Sequence, residues 1–191
     1  MKVLVACEYS NIVADAFRRK GHKVTSVDLI ENDFPSQDHI VGNVFDVLRL
    51  MRFDLMIAHP PCTYLCNAQI HKFYTSPGRW CKSIEATNFV KQLYNSDVPR
   101  VCIENPKGVL SSKFCPPAQI VYPWYFGDPY SKDICLWLKN LSPLISTVYS
   151  TGRKSMSNHV NSRMSQEQKS KIKSKFFPGI ASAMAEQWGA V

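Results

Sequence analysis

The sequence predicts an open α/β sheet, mostly parallel, with helices on both faces. Two observations carry that expectation: short apolar runs recur at intervals that leave room for a helix between them, and polar residues stand at the carboxyl end of several runs. Residues 2–8 form the first run, ending in Glu8, and are continuous enough for a strand buried on both faces. Ser10 is a candidate N-cap for an amphipathic helix through Ile12, Val13, Ala16 and Phe17, closed by Gly21. A second run from Lys23 to Leu29, with Asp28 near its end, completes a β-α-β unit, which implies a right-handed crossover and a parallel pair.

The same alternation continues. Phe53 to Ala58 reads as a strand, about 82–94 as a helix, Arg100 to Ile103 as a strand, Ile134 to Leu138 as a strand, and Ile180 to Trp188 as a closing helix. The stretch between Thr63 and Arg79 is polar and aromatic, too long for an ordinary connection, and follows a strand's carboxyl end, where long loops usually carry function. From Ser150 to Ser174 apolar periodicity disappears, which predicts a mobile loop or an arm that orders on nucleic acid.

At 191 residues one domain is expected, spanning 1–191 with a basic, mobile segment at 150–175. No apolar stretch approaches the roughly 20 residues that cross a bilayer, and Val3-Leu4-Val5-Ala6 is too short for a signal peptide. Seven scattered cysteines, an odd number, argue for reduced thiols. A soluble cytoplasmic protein without a membrane partner is therefore expected. The net charge of +8 points to a polyanion such as nucleic acid, because Lys and Arg gain free energy by releasing counterions from phosphates. The excess is concentrated: 152–175 holds Arg153, Lys154, Arg163, Lys169, Lys171, Lys173 and Lys175 against Glu167 alone.

In open α/β sheets ligands bind beyond the carboxyl ends of the strands. Glu8, Asp28, His59 to Cys62, and Glu104-Asn105 stand there. Asp28 suits the ribose hydroxyls of an adenosine-containing cofactor. The loop after the first strand, Cys7-Glu8-Tyr9-Ser10-Asn11, has no glycine, which disfavours a pyrophosphate-bearing dinucleotide. Pro60-Pro61 restricts the backbone before Cys62 and makes that thiol a candidate nucleophile, provided positive charge or a helix terminus helps form the thiolate. Glu104 leaves an apolar strand for the cleft and is a candidate proton donor. A zinc site from His59, Cys62, Cys66 and His71 fits no common ligand spacing, so no metal is expected.

This ordered set resembles the cytosine-C5 DNA methyltransferase family, and the loop Ala58-His59-Pro60-Pro61-Cys62-Thr63-Tyr64-Leu65-Cys66 is similar to that of small phage-type members. The resemblance implies a Rossmann-like S-adenosylmethionine-dependent methyltransferase fold, with Cys62 as nucleophile and Glu104 and Asn105 on the base. Tyr125 to Lys132 is similar to the family's aromatic-glycine segment that ends in basic residues, which adds Lys132 to the catalytic set. Pro178-Gly179-Ile180-Ala181 resembles the closing motif. The implied cofactor is S-adenosylmethionine, held by Glu8, Tyr9, Ser10, Asp28, Leu29, Asn43, Asp46 and Pro60. The implied partner is DNA, single-stranded or with a flipped base, on which Tyr64, Phe73, Tyr74 and Trp80 are candidates to stack.

The chain departs from the family at several points. Asn11 stands where a glycine is expected, Asn43 where an aspartate is, Lys132 replaces an arginine, and Ile134 occupies a second basic position. Only about 40 residues separate the basic motif from the last helix, too few for a recognition domain, so a partner subunit for base recognition is expected. Two other readings remain: a catalytically eroded nucleic-acid-binding protein, favoured by the loop without glycines, and an amino-group (N4/N6) methyltransferase, opposed by Cys62 where an aromatic is usual.

Overall fold

The computed structural model describes residues 1–32, 38–67, 76–152, 154–155, 165 and 175–190. In chain order the strands are β1 (Lys2–Ala6), β2 (Lys23–Asp28), β3 (His39–Val41), β4 (Leu55–Ala58), β5 (Arg100–Asn105), β6 (Gln119–Val121), β7 (Tyr130–Ser131), β8 (Ile134–Lys139) and β9 (Lys154–Ser155). The helices are α1 (Ile12–Arg19), α2 (Val44–Leu50), α3 (Pro77–Tyr94), α4 (Leu110–Lys113) and α5 (Pro178–Gly189). Seven strands make one sheet in the order β3-β2-β1-β4-β5-β8-β6, while β7 and β9 form a separate parallel pair. All neighbours from β3 to β5 are parallel, and β8 is antiparallel to both β5 and β6. The expected fold class is therefore the observed one: a Rossmann-like, mostly parallel open sheet.

Side chains alternate across that sheet and divide the core in two. Val3, Val5, Leu55, Ile57 and Cys102 pack with Val13 and Phe17 of α1 and with Ile180 and Met184 of α5. Leu4, Ala6, Met56, Ala58 and Ile103 pack against Val44 and Val47 of α2 and Val90 and Leu93 of α3. Burial on both faces explains why these strands read as continuous apolar runs instead of alternating ones. Among the described residues no helix is long and apolar enough to cross a membrane.

Several boundaries differ from expectation. β1 stops at Ala6, two residues before Glu8. α3 begins at Pro77, a favourable first helical residue, so Arg79 and Trp80 are helical and not part of a long loop. β3, β6 and α2 have no counterpart in the sequence reading; the two strands have three residues each, too few to display a period. Most of the basic segment 150–175 lies outside the described residues; within it, Lys154–Ser155 pairs with Tyr130–Ser131.

The start of α5 is locked against the turn after the short helical turn Pro123–Tyr125. The backbone N–H of Gly179 donates to Asp128 Oδ2 at 2.8 Å, and a Cβ at this glycine would overlap the carbonyl oxygen of Phe126. Gly179→Ala is therefore expected to cost about 3 kcal/mol, the upper range for overpacking, and to lower Tm by roughly 6–12 °C in a thermal melt. An unchanged Tm would show that this junction yields.

Candidate active site

Register is what assembles the site. Ala6 lies beside both Val27 and Ala58, and Ala58 beside Ile103, so the carboxyl ends of β2, β1, β4 and β5 finish level. The strand order reverses direction at β1 and β4, and the crevice beyond such a switch point is where open α/β sheets bind ligands. A cleft of about 430 Å³ opens there, within the usual range for a small-molecule site. β8 adds the last wall: because it runs antiparallel, its start lies beside the end of β5, which brings Lys132 to the level of Glu104 and Asn105.

The loop after β1 is shaped without glycine. Cys7 (φ 58°) and Asn11 (φ 60°) both adopt the left-handed conformation that favours glycine. The N-cap of α1 is Asn11, not Ser10, and its side chain makes no capping bond. Glu8 caps the helix instead: its carboxylate is buried and accepts from the N–H groups of Val13 (2.7 Å) and Ala14 (3.2 Å) and from Ser10 Oγ (3.1 Å). A negative charge among the unpaired N–H groups of a first turn is favourable, so Glu8 organises the loop from the wall of the cleft. Cys7→Val should cost about 1–2 kcal/mol, since a β-branched residue tolerates this backbone poorly, whereas Cys7→Gly should be near neutral; urea unfolding of the pair measures the difference. Equal stability of the two would remove the backbone account.

The loop Pro60-Pro61-Cys62 is held from β5. Asn105, fully buried, donates from Nδ2 to the Pro60 carbonyl at 2.7 Å, and the next turn is clamped by Val109 N–H donating to Leu65 O at 2.8 Å. A Cβ on Gly108 would overlap that same Leu65 carbonyl, so glycine is needed for the approach. Cys62 itself is exposed and opens the short turn Cys62–Tyr64 at the cleft wall. Although the residue as a whole is exposed, protein atoms around its sulfur desolvate it in part, and this, reinforced by Cys66 and Glu104, raises its thiol above the usual value, against the opposing pull of Lys132. Thiolate is thus the minor form at neutral pH, and Lys132 supplies the local positive charge that favours it.

Glu104 pairs with His59. Nδ1 of His59 donates to Glu104 Oε2 at 3.0 Å, and the ring of Phe176 covers the imidazole at a centroid distance of 4.7 Å. Burial pushes the Glu104 carboxyl up, but the hydrogen bond and charge of His59, with Lys132, outweigh it and hold the group below its usual value. The carboxylate is therefore ionised in the free protein, so the raised value expected of a proton donor is corrected: His59 and Lys132 together outweigh burial. Two buried polar atoms at the cleft have no protein partner among the described residues, His59 Nε2 and Asn105 Oδ1. An unpaired buried polar atom costs about 1–3 kcal/mol, and both atoms are closed to solvent, so this cost is carried by the protein itself.

Of the expected site residues, Glu8, Tyr9, Ser10, Asp28, Leu29, Asn43, Pro60, Cys62, Glu104, Asn105 and Lys132 all line the cleft. Asp46 does not: its exposed side chain is bound to Arg49 at 2.9 Å and lines a separate pocket of α2 instead. Asn43 is the N-cap of α2, its Oδ1 accepting from Phe45 N–H at 2.9 Å. Burial raises the Asp28 carboxyl, partly offset by the N–H groups of Ile30 and Leu29 and by His39. Phe73, Tyr74 and His71 lie outside the described residues. Sequence reasoning missed His59 as the partner of Glu104, and it missed Phe89, Lys175 and Phe176, which reach the cleft from α3 and from the segment before α5. His59 carried a usable signal, its place just before the double proline; the others come from positions distant in sequence.

No protein-family model matches the chain, and no curated protein matches it by sequence. Among solved structures it is similar to a candidate DNA modification methyltransferase encoded within an E. coli prophage (15% identity, 72% of this chain and 46% of that one, TM-score 0.47). It is also similar to the S. pombe Dnmt2 methyltransferase (15% identity, 88% and 62%, TM-score 0.47) and to a mutant of Spodoptera frugiperda DNMT2 (15% identity, 87% and 61%, TM-score 0.45). The likeness is one of fold alone. The chain spans 46–62% of the length of these three structures.

Proposed function

We propose that the chain is a methyltransferase acting at C5 of cytosine, or of a related pyrimidine in nucleic acid, through a covalent adduct of Cys62. The observation that carries this reading is the common cleft shared by an exposed thiol on a restrained loop and an ionisable carboxylate with a cation beside them: Cys62, Glu104 and Lys132. S-adenosylmethionine fits the other half of that cleft, where Asp28 stands at the end of β2 beside Leu29, Tyr9, Ser10 and Asn43, with the apolar walls Val27, Val44 and Phe89. When bound, that cofactor supplies an electrophilic methyl group.

The residues of the chain have separate tasks. The Cys62 thiolate adds to C6 of the ring, which forms a carbon–sulfur bond and moves electron density toward C5 and N3. Glu104 faces the polar edge of the base, where its charge meets the exocyclic amino group. Lys132 stabilises the thiolate and the negative charge that develops on the ring. Once C5 has bonded the methyl carbon, its proton passes to water, the carbon–sulfur bond breaks with its electron pair returning to Cys62, and the aromatic ring is restored. Asn105 also keeps Cys62 in place through the Pro60 carbonyl. Glu8 and the left-handed residues Cys7 and Asn11 give the cofactor loop a defined shape without glycine, which favours this reading over a catalytically silent binding protein.

The deciding experiment incubates the protein with labelled S-adenosylmethionine and duplex DNA, single-stranded DNA, RNA or mononucleotides, then locates the label by mass spectrometry of the nucleosides. Label on C5 supports the proposal. Label on an amino nitrogen, or none with any acceptor, rejects it.

A further inference from the structure

A second groove, of about 250 Å³, lies outside the cleft between α3 and α4, lined by Trp80, Ile84, Thr87, Lys91, Val109 and Lys113 among others. Trp80 and Ile84 are about half exposed, at 48% and 49%. From Trp80 to Lys91 the groove follows one face of α3 for about 16 Å at the rise of an α-helix. Lys113 of α4 holds its ammonium 5.4 Å from the Trp80 ring centroid. On the adjoining face of the same helix, Arg79 and Lys82 lie 5.0 and 5.5 Å from the ring of Tyr64. Tyr64 belongs to the turn that begins with Cys62, and Arg79 also donates to the carbonyl of Thr63, which lines the cleft (3.4 Å). The aromatic and basic stations therefore begin at the cleft mouth and continue outward along α3, whose charged residues are Arg79, Lys82 and Lys91 against Glu85 alone.

We propose that this face of α3, with Tyr64 and α4, is a track for single-stranded nucleic acid that holds the nucleotides next to the one whose base enters the cleft. The inference rests on the pyrimidine reading of the cleft and adds the strand that carries the pyrimidine. The chemistry fits a single strand because flat aromatic rings stack on unpaired bases of any sequence, while the lysines and arginine that lie over these rings turn outward to pair with phosphates as bases take their place. A purely apolar partner would leave Lys91 and Lys113 desolvated without a counter-charge.

The test is fluorescence anisotropy of a labelled oligothymidylate, which contains no cytosine, over a series of salt concentrations. The native chain is expected to bind it more tightly than duplex of equal length. Trp80→Ala should weaken binding about tenfold, and the double variant Lys91→Glu/Lys113→Glu should weaken it further and reduce the salt slope by at least about one unit. Lys23→Glu, at the opposite end of the sheet, should leave both unchanged, and melting curves check that all variants fold. Strand binding that is undiminished in both groove variants overturns the track and leaves the pyrimidine chemistry standing. If the native chain methylates a free pyrimidine nucleotide but binds no strand, the track alone falls. If it binds no nucleic acid and methylates no pyrimidine, the track falls together with the reading on which it rests.

Discussion

Cys62→Ser is expected to reduce methyl transfer by at least about 10³-fold while leaving the fold intact. The side chain is exposed and its sulfur carries no packing role in either core, so the substitution removes nucleophilicity without opening a cavity. Serine keeps the shape, but its hydroxyl is far from ionised at any working pH. The adduct offers a second readout. An oligonucleotide containing 5-fluorocytosine, which cannot lose its C5 substituent as a proton, should trap the native chain covalently in a denaturing gel and should not trap the serine variant. Since burial holds the Cys62 thiol above its ordinary value of 9.0, the native rate should also climb with pH below that value, by up to about tenfold per unit where the thiolate is limiting. Undiminished turnover by Cys62→Ser would remove the covalent mechanism.

Glu104→Gln should lower turnover by about 10²- to 10³-fold, the range for losing one electrostatic contact to the charge that develops in the transition state. The amide oxygen can still accept from His59, so the variant tests charge and proton chemistry more than shape. Stability gives an independent measurement. The Glu104 carboxyl is held below its ordinary value of 4.5 in the folded protein, so it binds a proton less readily folded than unfolded. Its stabilising contribution is full above about pH 4.5 and is lost as pH falls through the depressed folded value. Native protein should therefore be the more stable form at pH 7, and its advantage over Glu104→Gln should close during acid titration. An advantage that is the same at pH 7 and pH 3 would mean that the His59 pair does not hold the carboxylate.

The parts of the site that sequence made legible are those tied to strand ends. A strand buried on both faces must be apolar throughout, so its end is marked by the first polar residue, and Asp28, His59 and Glu104 could be placed at the cleft before any contact was known. Glu8 was legible as a position and not as a role, because capping depends on the path of the loop: with β1 ending at Ala6 and Cys7 turning left-handed, its carboxylate folds onto the first turn of α1. Asp46 illustrates the reverse error. It was expected among the cofactor residues, but its side chain pairs with Arg49 outside the cleft.

Alternation of apolar runs and the order of polar ends, both local properties, were enough for the sheet class and for the identity of Cys62, Glu104 and Asp28 as cleft residues. Tertiary structure alone decided which groups meet: His59 with Glu104 across 45 residues, Phe176 over His59, and Lys132 near Glu104 because β8 runs antiparallel to β5. The physical reason is that periodicity encodes which face a residue turns toward the core, whereas pairing between distant segments depends on register and strand direction, which no local pattern specifies.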